Sequence, residues 1–231
     1  DNVLYKDGCL LSADTLISGE YSIKNGTRLI AAHAFLDCKN LTSVVIPNTV
    51  CNINHSAFEY CKNLHSVDIS NSIEHIGGLA FRGCSSLSSI NIPQSIKTIK
   101  YSTFEGCSSL RSIHIPNSIT HIEDEAFNSC TNLSNFAIPT SVEHIGKNAF
   151  SSTAFYYDKS NWNGDVLYKD NCLIEVNNKI KGKYTIINGT RLISQGAFMS
   201  CTNLVSISIP NSITTIESNT FKYCHKLSKE N

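Results

Sequence analysis

Charge is scarce in this sequence. Only 16% of its 231 residues are Asp, Glu, Lys or Arg, and 19 basic residues balance 19 acidic ones, where an average soluble domain carries about a quarter. A formal charge of zero leaves no electrostatic footprint for a phosphate backbone or an anionic lipid surface, so nucleic acid is not an expected partner. No apolar run approaches the roughly 18 residues of a membrane span, and Asp1 opens no basic and apolar leader. Membrane insertion is therefore not expected of this stretch, and any export signal or anchor is expected outside it. Also missing are G-x-S-x-G, the P-loop and H-E-x-x-H, together with any close C-x-x-C pair of the kind that holds structural zinc. An enzyme, a metal and a cofactor are accordingly not expected. What is present is 41% hydrophobic content, enough to bury a core and exclude wholesale disorder.

Self-similarity organises that content. Phe35, Phe58, Phe81, Phe104, Phe127 and Phe150 are spaced 23 residues apart, and Phe198 and Phe221 keep the same spacing. Counting from each Phe, Cys follows at plus three in seven of eight cases, with Thr153 the exception. Leu follows at plus six, an apolar residue at plus nine and Ile at plus eleven. All five prolines, Pro47, Pro93, Pro116, Pro139 and Pro210, fall at plus twelve. A longer period lies over this one: Val3 to Leu10 returns 163 residues later as Val166 to Leu173, and Asn25 to Ile30 returns as Asn188 to Ile193. Asp7-Gly8 and Asp170-Asn171 suit tight turns, so each of these blocks reads as a β-hairpin that replaces or interrupts ordinary coils.

Alternation at plus nine and plus eleven places those side chains on one face of a short strand, which Pro at plus twelve ends because it brings no N–H to a ladder. Val or Ile at plus fifteen and Ile at plus eighteen turn a second extended piece inward. The Ala-Phe-x-x-Cys spacing is that of one helical turn. Ser or Thr at plus fourteen is placed to satisfy backbone groups of the adjacent coil. A 23-residue unit cannot bury this stripe alone, but stacked units share a continuous core. The expected fold is a mainly β, α/β solenoid: one repeat domain over residues 1–231, with hairpin-type blocks at about 1–22 and 151–185 and regular repeats at about 23–150 and 186–227.

The unit A-F-x-x-C-x-x-L-x-x-I-x-I-P-x-S-[VI]-x-x-I resembles the BspA-like, Treponema-pallidum-type leucine-rich repeats. That resemblance covers nearly the whole chain, and eight Phe, seven Cys and five Pro hold its register together. It implies a right-handed solenoid with a strand-lined concave face. It also implies a secreted or surface protein of the kind found in anaerobic bacteria and parasitic protists, many of which are described as adhesins. The hairpin blocks and Cys51 depart from the family pattern.

Ten cysteines in an exported-looking chain ordinarily signal a disulfide framework. Here seven share one column beside Phe and Leu, where a free thiol packs as a small hydrophobe. Cys51, at plus sixteen, falls where other units carry surface residues and is expected to be an exposed thiol. His75, His121 and His144 share the plus-seventeen column, with Glu143 adjacent. Two neighbouring imidazoles and a carboxylate make a minimal ligand set, but the corner reads as a solvated column.

Two surfaces are candidate binding sites. With plus nine and eleven inward, plus eight and ten face out. Plus eight is nearly all Ser, including Ser66, Ser89 and Ser112. Plus ten varies, with Asp68, Asn91 and His114 as its central members. A flat stripe beside a varied one offers specificity to an extended partner, and it is equally what a tight, solvated strand stack uses. The second surface is the interruption, where Phe155, Tyr156, Tyr157 and Trp162 gather. Such residues serve as binding anchors, and they also serve to close irregular coils. Tyr156 stands at plus six and is expected to replace the core Leu. The functional expectation is a non-enzymatic scaffold at the cell surface or secreted, binding a protein or glycoprotein through its concave face. The alternative is an interaction module of a larger, regulatory or intracellular protein. The oligomeric state is left open.

Overall fold

A computed structural model describes residues 2–228; Asp1 and residues 229–231, the two ends of the expected repeat span, lie outside the described residues. Both Asp-x turn signals form hairpins. Val3–Lys6 pairs antiparallel with Cys9–Ala13, and Val166–Lys169 with Cys172–Val176. Their turns hold Asp7, Gly8, Asp170 and Asn171 at positive φ, as two-residue hairpin turns require. Each hairpin is tied to its own coil by a tyrosine pair, Tyr5–Tyr21 at 2.8 Å and Tyr168–Tyr184 at 2.9 Å between hydroxyls.

The hairpins join the solenoid by parallel pairing. Cys9–Ala13 is followed in one ladder by Leu29–Ile30, Asn52–Ile53 and His75–Ile76, and a second ladder stacks Thr98–Ile99, His121–Ile122 and His144–Ile145. These two-residue strands are the extended pieces expected around plus eighteen. The longer strands run Ser18–Ser22, Asn40–Val45 and Ser66–Asp68, with Lys181–Thr185 beside Asn203–Ser208 in the second block.

The strand expected in every unit does not extend through the middle of the array. Residues 89–91 form none, and between them and the interruption only the bridge between Ser112 and Asn135 remains. Composition accounts for the fading. Thr42 and Val45 give way to Ser88 and Asn91, whose side chains compete for the backbone and lower strand propensity.

A second correction concerns the Phe arc. Ala-Phe-x-x-Cys forms a turn, not a helix; among the described residues the one α-helix is Ala154–Tyr157, in the interruption. In all eight units the residues at minus two and plus two from the Phe have positive φ, from Ser56 and Tyr60 around Phe58 to Asn219 and Tyr223 around Phe221. Most are not glycine, and each left-handed residue costs about 1–2 kcal/mol. The return is backbone pairing between coils. Ser56, Phe58 and Tyr60 donate their N–H groups to the carbonyls of Gly78, Ala80 and Arg82 at 3.0, 2.8 and 2.7 Å. The pattern repeats at each stacked boundary.

Inside the coils the Phe rings stack nearly parallel, with centroids 5.0 to 5.8 Å apart from Phe35 to Phe150 and interplanar angles of 10° or less. The column cysteines are free and do more than fill space: Cys61, Cys84, Cys107 and Cys130 point their Sγ at the carbonyl of the Phe one coil earlier, at 3.0 to 3.2 Å. The plus-fourteen hydroxyls act as expected. Thr49, Ser72, Ser141 and Ser212 donate to Thr27, Val50, Ile119 and Thr190 carbonyls at 2.7 to 2.8 Å, and Ser95 donates to that of Ile73. Ser118 is the exception, its buried Oγ unpartnered.

Across the interruption the array is resewn by two side chains and a backbone bond. Arg191 donates to the carbonyls of Val142 and Pro139 at 2.6 and 2.9 Å, Asp170 accepts from the Ile138 N–H at 2.7 Å, and Gln195 N–H reaches Ile145 at 2.8 Å. The core residue expected at Tyr156 is instead Phe155, which is buried and packs edge-on against Phe136. Thr153 replaces Cys and caps the four-residue helix through the Tyr156 N–H, shifting the inward position by one.

Because Phe104 is fully buried between two stacked rings, Phe104→Ala is expected to destabilise the protein by about 3–5 kcal/mol. Denaturant melts measure this, and a loss below about 1 kcal/mol contradicts burial of the Phe column.

Candidate functional site

On the strand face the plus-ten side chains Asp68, Asn91 and His114 are exposed, as are Val45, Ala137 and Ser208. Their plus-nine neighbours Val44, Val67 and Ile113 are buried, so the alternation read from the sequence holds where the strands form. Ser66 is half-buried, and Ser89 and Ser112 are exposed. Ser66, Ser89 and Asn91 come together around a shallow hollow of 380 Å³, with Val67 and Ile90 completing its lining. It lies where the strand ladder fades. Asp68 and His114 do not line it, so the expected column is divided between the hollow and the open face on either side.

The interruption separates the aromatic residues. Tyr157 is exposed, its hydroxyl 3.5 Å from Ser152 Oγ. Trp162 is half-buried: its Nε1 donates to the Tyr156 carbonyl at 2.7 Å, its ring stands edge-on to that of Tyr156 at 5.4 Å, and the Lys159 ammonium sits 5.5 Å above it. Trp162 and Tyr156 line a cleft of 550 Å³ between the Phe150 and Phe198 coils, and Tyr157 does not. That volume is in the range of ligand pockets.

The cleft holds residues the sequence reading missed. Glu175 accepts from Ser151 Oγ at 2.8 Å and from the Tyr156 hydroxyl at 3.5 Å. Burial raises its carboxyl pKa, against those two hydrogen bonds and the nearby Lys147. Lys147, Lys159 and Lys179 supply the remaining charge of the lining. Glu175 was detectable by aligning the two hairpin blocks, because its counterpart is Ser12. The three lysines come from separate stretches, Lys147 from the Phe150 unit and Lys159 and Lys179 from the interruption, and leave no linear signal.

Elsewhere the corner histidines are engaged locally. The rings of His121 and His144 are 5.7 Å apart, His144 Nδ1 lies 2.7 Å from Glu217 Oε1, and His121 Nδ1 lies 2.9 Å from Thr120 Oγ1. Among the described residues no three His, Cys, Asp or Glu side chains are grouped to hold a metal. Cys51 is half-buried rather than exposed, its Sγ 3.8 Å from the Thr49 carbonyl. Desolvation pushes the column thiols up, Cys38 to about 11 and Cys130 and Cys201 to about 12, which removes them as nucleophiles near neutral pH.

A family model described as a BspA type leucine-rich repeat region matches six copies over residues 23–156 and 176–231. No curated protein matches the chain. Among solved structures, a leucine-rich repeat protein from Bacteroides ovatus is 24% identical, with a TM-score of 0.56 over 98% of this chain and 61% of its own. This chain therefore spans less than two thirds of that protein's length. The Treponema pallidum leucine-rich repeat protein is 20% identical, with a TM-score of 0.54 over 96% of this chain and 83% of its own. A leucine-rich cell surface protein from Faecalibacterium prausnitzii is 22% identical, with a TM-score of 0.55 over 98% and 91%. At these identities the likeness is one of fold. Among the described residues no helix is long and apolar enough to cross a membrane.

The thiol column gives stability a pH dependence with a definite sign. Unfolded thiols ionise near pH 8.5, whereas in the fold Cys38, Cys130 and Cys201 hold their protons to about 11 or 12. Between those values the native state binds more protons, so the thiols' contribution to stability is level below about pH 8 and falls as pH rises through 9 and 10. Urea melts from pH 7 to 10.5 are expected to show that fall, with Cys130→Ala reducing its slope. A midpoint independent of pH over this range contradicts burial of the column.

Proposed function

We propose that this chain, which belongs to the BspA-type leucine-rich repeat family, is a non-enzymatic scaffold that binds a protein or glycoprotein ligand through its longer-strand face. One observation carries the reading. The plus-ten column is exposed from coil to coil while its residues change from Val45 to Asp68, Asn91, His114 and Ala137. The positions beside it remain small, with the hollow at Ser66, Ser89 and Asn91 at their centre. A regular backbone with a varied exposed column is the arrangement by which repeat proteins recognise extended surfaces. Specificity then belongs to the variable positions and affinity to the summed area.

Such a scaffold fits a secreted or surface-displayed, adhesin-like protein. The cell surface protein of Faecalibacterium prausnitzii that shares the fold supports this location.

The test is a binding screen against extracellular-matrix proteins and glycoproteins, run beside a variant carrying Asp68→Ala, Asn91→Ala and His114→Ala. Binding by the parent and a drop of tenfold or more in the variant, roughly 1.4 kcal/mol, is the expected result. Equal binding by a correctly folded variant moves recognition off this face.

A further inference from the structure

Where coils stack directly, amide N–H groups at minus two, zero and plus two from each Phe donate to carbonyls at minus three, minus one and plus one of the next unit. The ladder is unbroken from the His33 N–H, bonded to His55, to the Ser129 N–H, bonded to Ser151, and it resumes from Phe198 to Thr220. It stops at one internal boundary. Phe150 and Phe198 are 48 residues apart, about two units, and the hairpin coil between them carries no Phe arc. The N–H groups of Asn148, Phe150 and Ser152 have no hydrogen-bond partner among the described residues, nor do the carbonyls of Gln195, Ala197 and Met199. Asn148 of the first set and Gln195, Ala197 and Met199 of the second line the 550 Å³ cleft, whereas Phe150 and Ser152 do not.

The first hairpin block shows that this edge can close. There the Ala13 N–H donates to Ala34 at 2.6 Å and the Cys38 thiol reaches the Asp14 carbonyl at 3.7 Å. The counterparts in the second block, Val176 with Ala197 and Cys201 with Asn177, make neither bond. The cleft is thus a break in an otherwise continuous ladder, edged by the Asn148 N–H on one side and by acceptors of period two on the other. Its charged lining is Lys147, Lys159, Lys179 and Glu175, and Glu175 is already engaged by Ser151 and Tyr156. The net charge it offers an occupant is positive.

The geometry points to a peptide-binding cleft: an extended, acidic segment of a partner protein, about five residues long, inserts between the two coils and pairs with the open edge of the ladder. Its N–H groups donate to the carbonyls of Gln195, Ala197 and Met199, and one of its carbonyls accepts from the Asn148 N–H. This is strand addition in the sense used by sheet-edge peptide receptors, here at a solenoid joint. Its carboxylates meet Lys159 and Lys179, and the Trp162 ring lies beside it. The site is separate from the strand-face column.

Trp162 is the chain's only tryptophan, so its fluorescence reports the cleft directly. A displayed library of random heptapeptides is selected on the intact protein, and the enriched peptides are titrated against Trp162 emission. The expected result is enrichment of acidic sequences that shift the emission saturably. N-methylation of alternate peptide amides lowers affinity tenfold or more, as does the protein variant Lys159→Glu with Lys179→Glu, while Asp68→Ala with His114→Ala leaves it unchanged. The inference is overturned if no selected peptide shifts Trp162, or if those that do are insensitive to N-methylation.

Discussion

Axial register between coils is the constraint from which the rest of this structure follows. Each 23-residue unit bonds to its neighbours along its strand pieces, along the left-handed arc around the Phe, and through the plus-fourteen hydroxyl. The arc shows the cost of keeping register. Paired left-handed residues at Ser56 and Tyr60, or Asn148 and Ser152, are tolerated because they aim successive N–H groups along the axis instead of around a helix. Stacked Phe rings and Cys thiols aimed at Phe carbonyls then fill the interior at the same spacing. The interactions favour neighbouring units, so stability is distributed along the stack.

Much of this was legible in the sequence because the chain writes it several times. The Phe, Cys and Pro columns identified the inward positions, the Asp-Gly and Asp-Asn turns identified the hairpins, and the plus-fourteen hydroxyls identified their carbonyl partners. The failures have physical reasons. Ala-Phe-x-x-Cys has helical spacing, but φ is a backbone property: Leu79 and Glu125 adopt left-handed angles that neither side chain advertises, under the pull of bonds to the next coil. The strand face fades at 89–91 because Ser and Asn there weaken a ladder that periodicity alone makes uniform. At 153–156 one exchange, Thr for Cys, starts a short helix and passes the core position from Tyr156 to Phe155. The cleft was least legible, since Lys147 belongs to the last regular unit before the interruption and Lys159, Glu175 and Lys179 to separate stretches of the interruption itself, and they meet only there.

The interruption divides the surface into two kinds of opportunity. On the regular coils, recognition is a matter of side chains set on a fixed lattice, as with Asp68, Asn91 and His114. At the joint, the second hairpin block repeats the hairpin of the first, Val3 to Leu10 returning as Val166 to Leu173, yet it meets a preceding coil through Arg191, Asp170 and Gln195. That seam holds the two parts in line on the corner side and leaves the arc side open. A scaffold of this design gains a backbone-recognition cleft without altering the repeat on either side of it.

The central claim, a ladder of arc amides broken at one internal boundary, is tested most directly by residue-resolved amide hydrogen exchange in the native state. The N–H groups of Phe58, Phe81, Phe104 and Phe127 are predicted to exchange slowly, as groups bonded inside the stack. Those of Asn148 and Ser152 are predicted to exchange orders of magnitude faster. Equal protection at all of these positions, or rapid exchange at Phe81 and Phe104, contradicts the account.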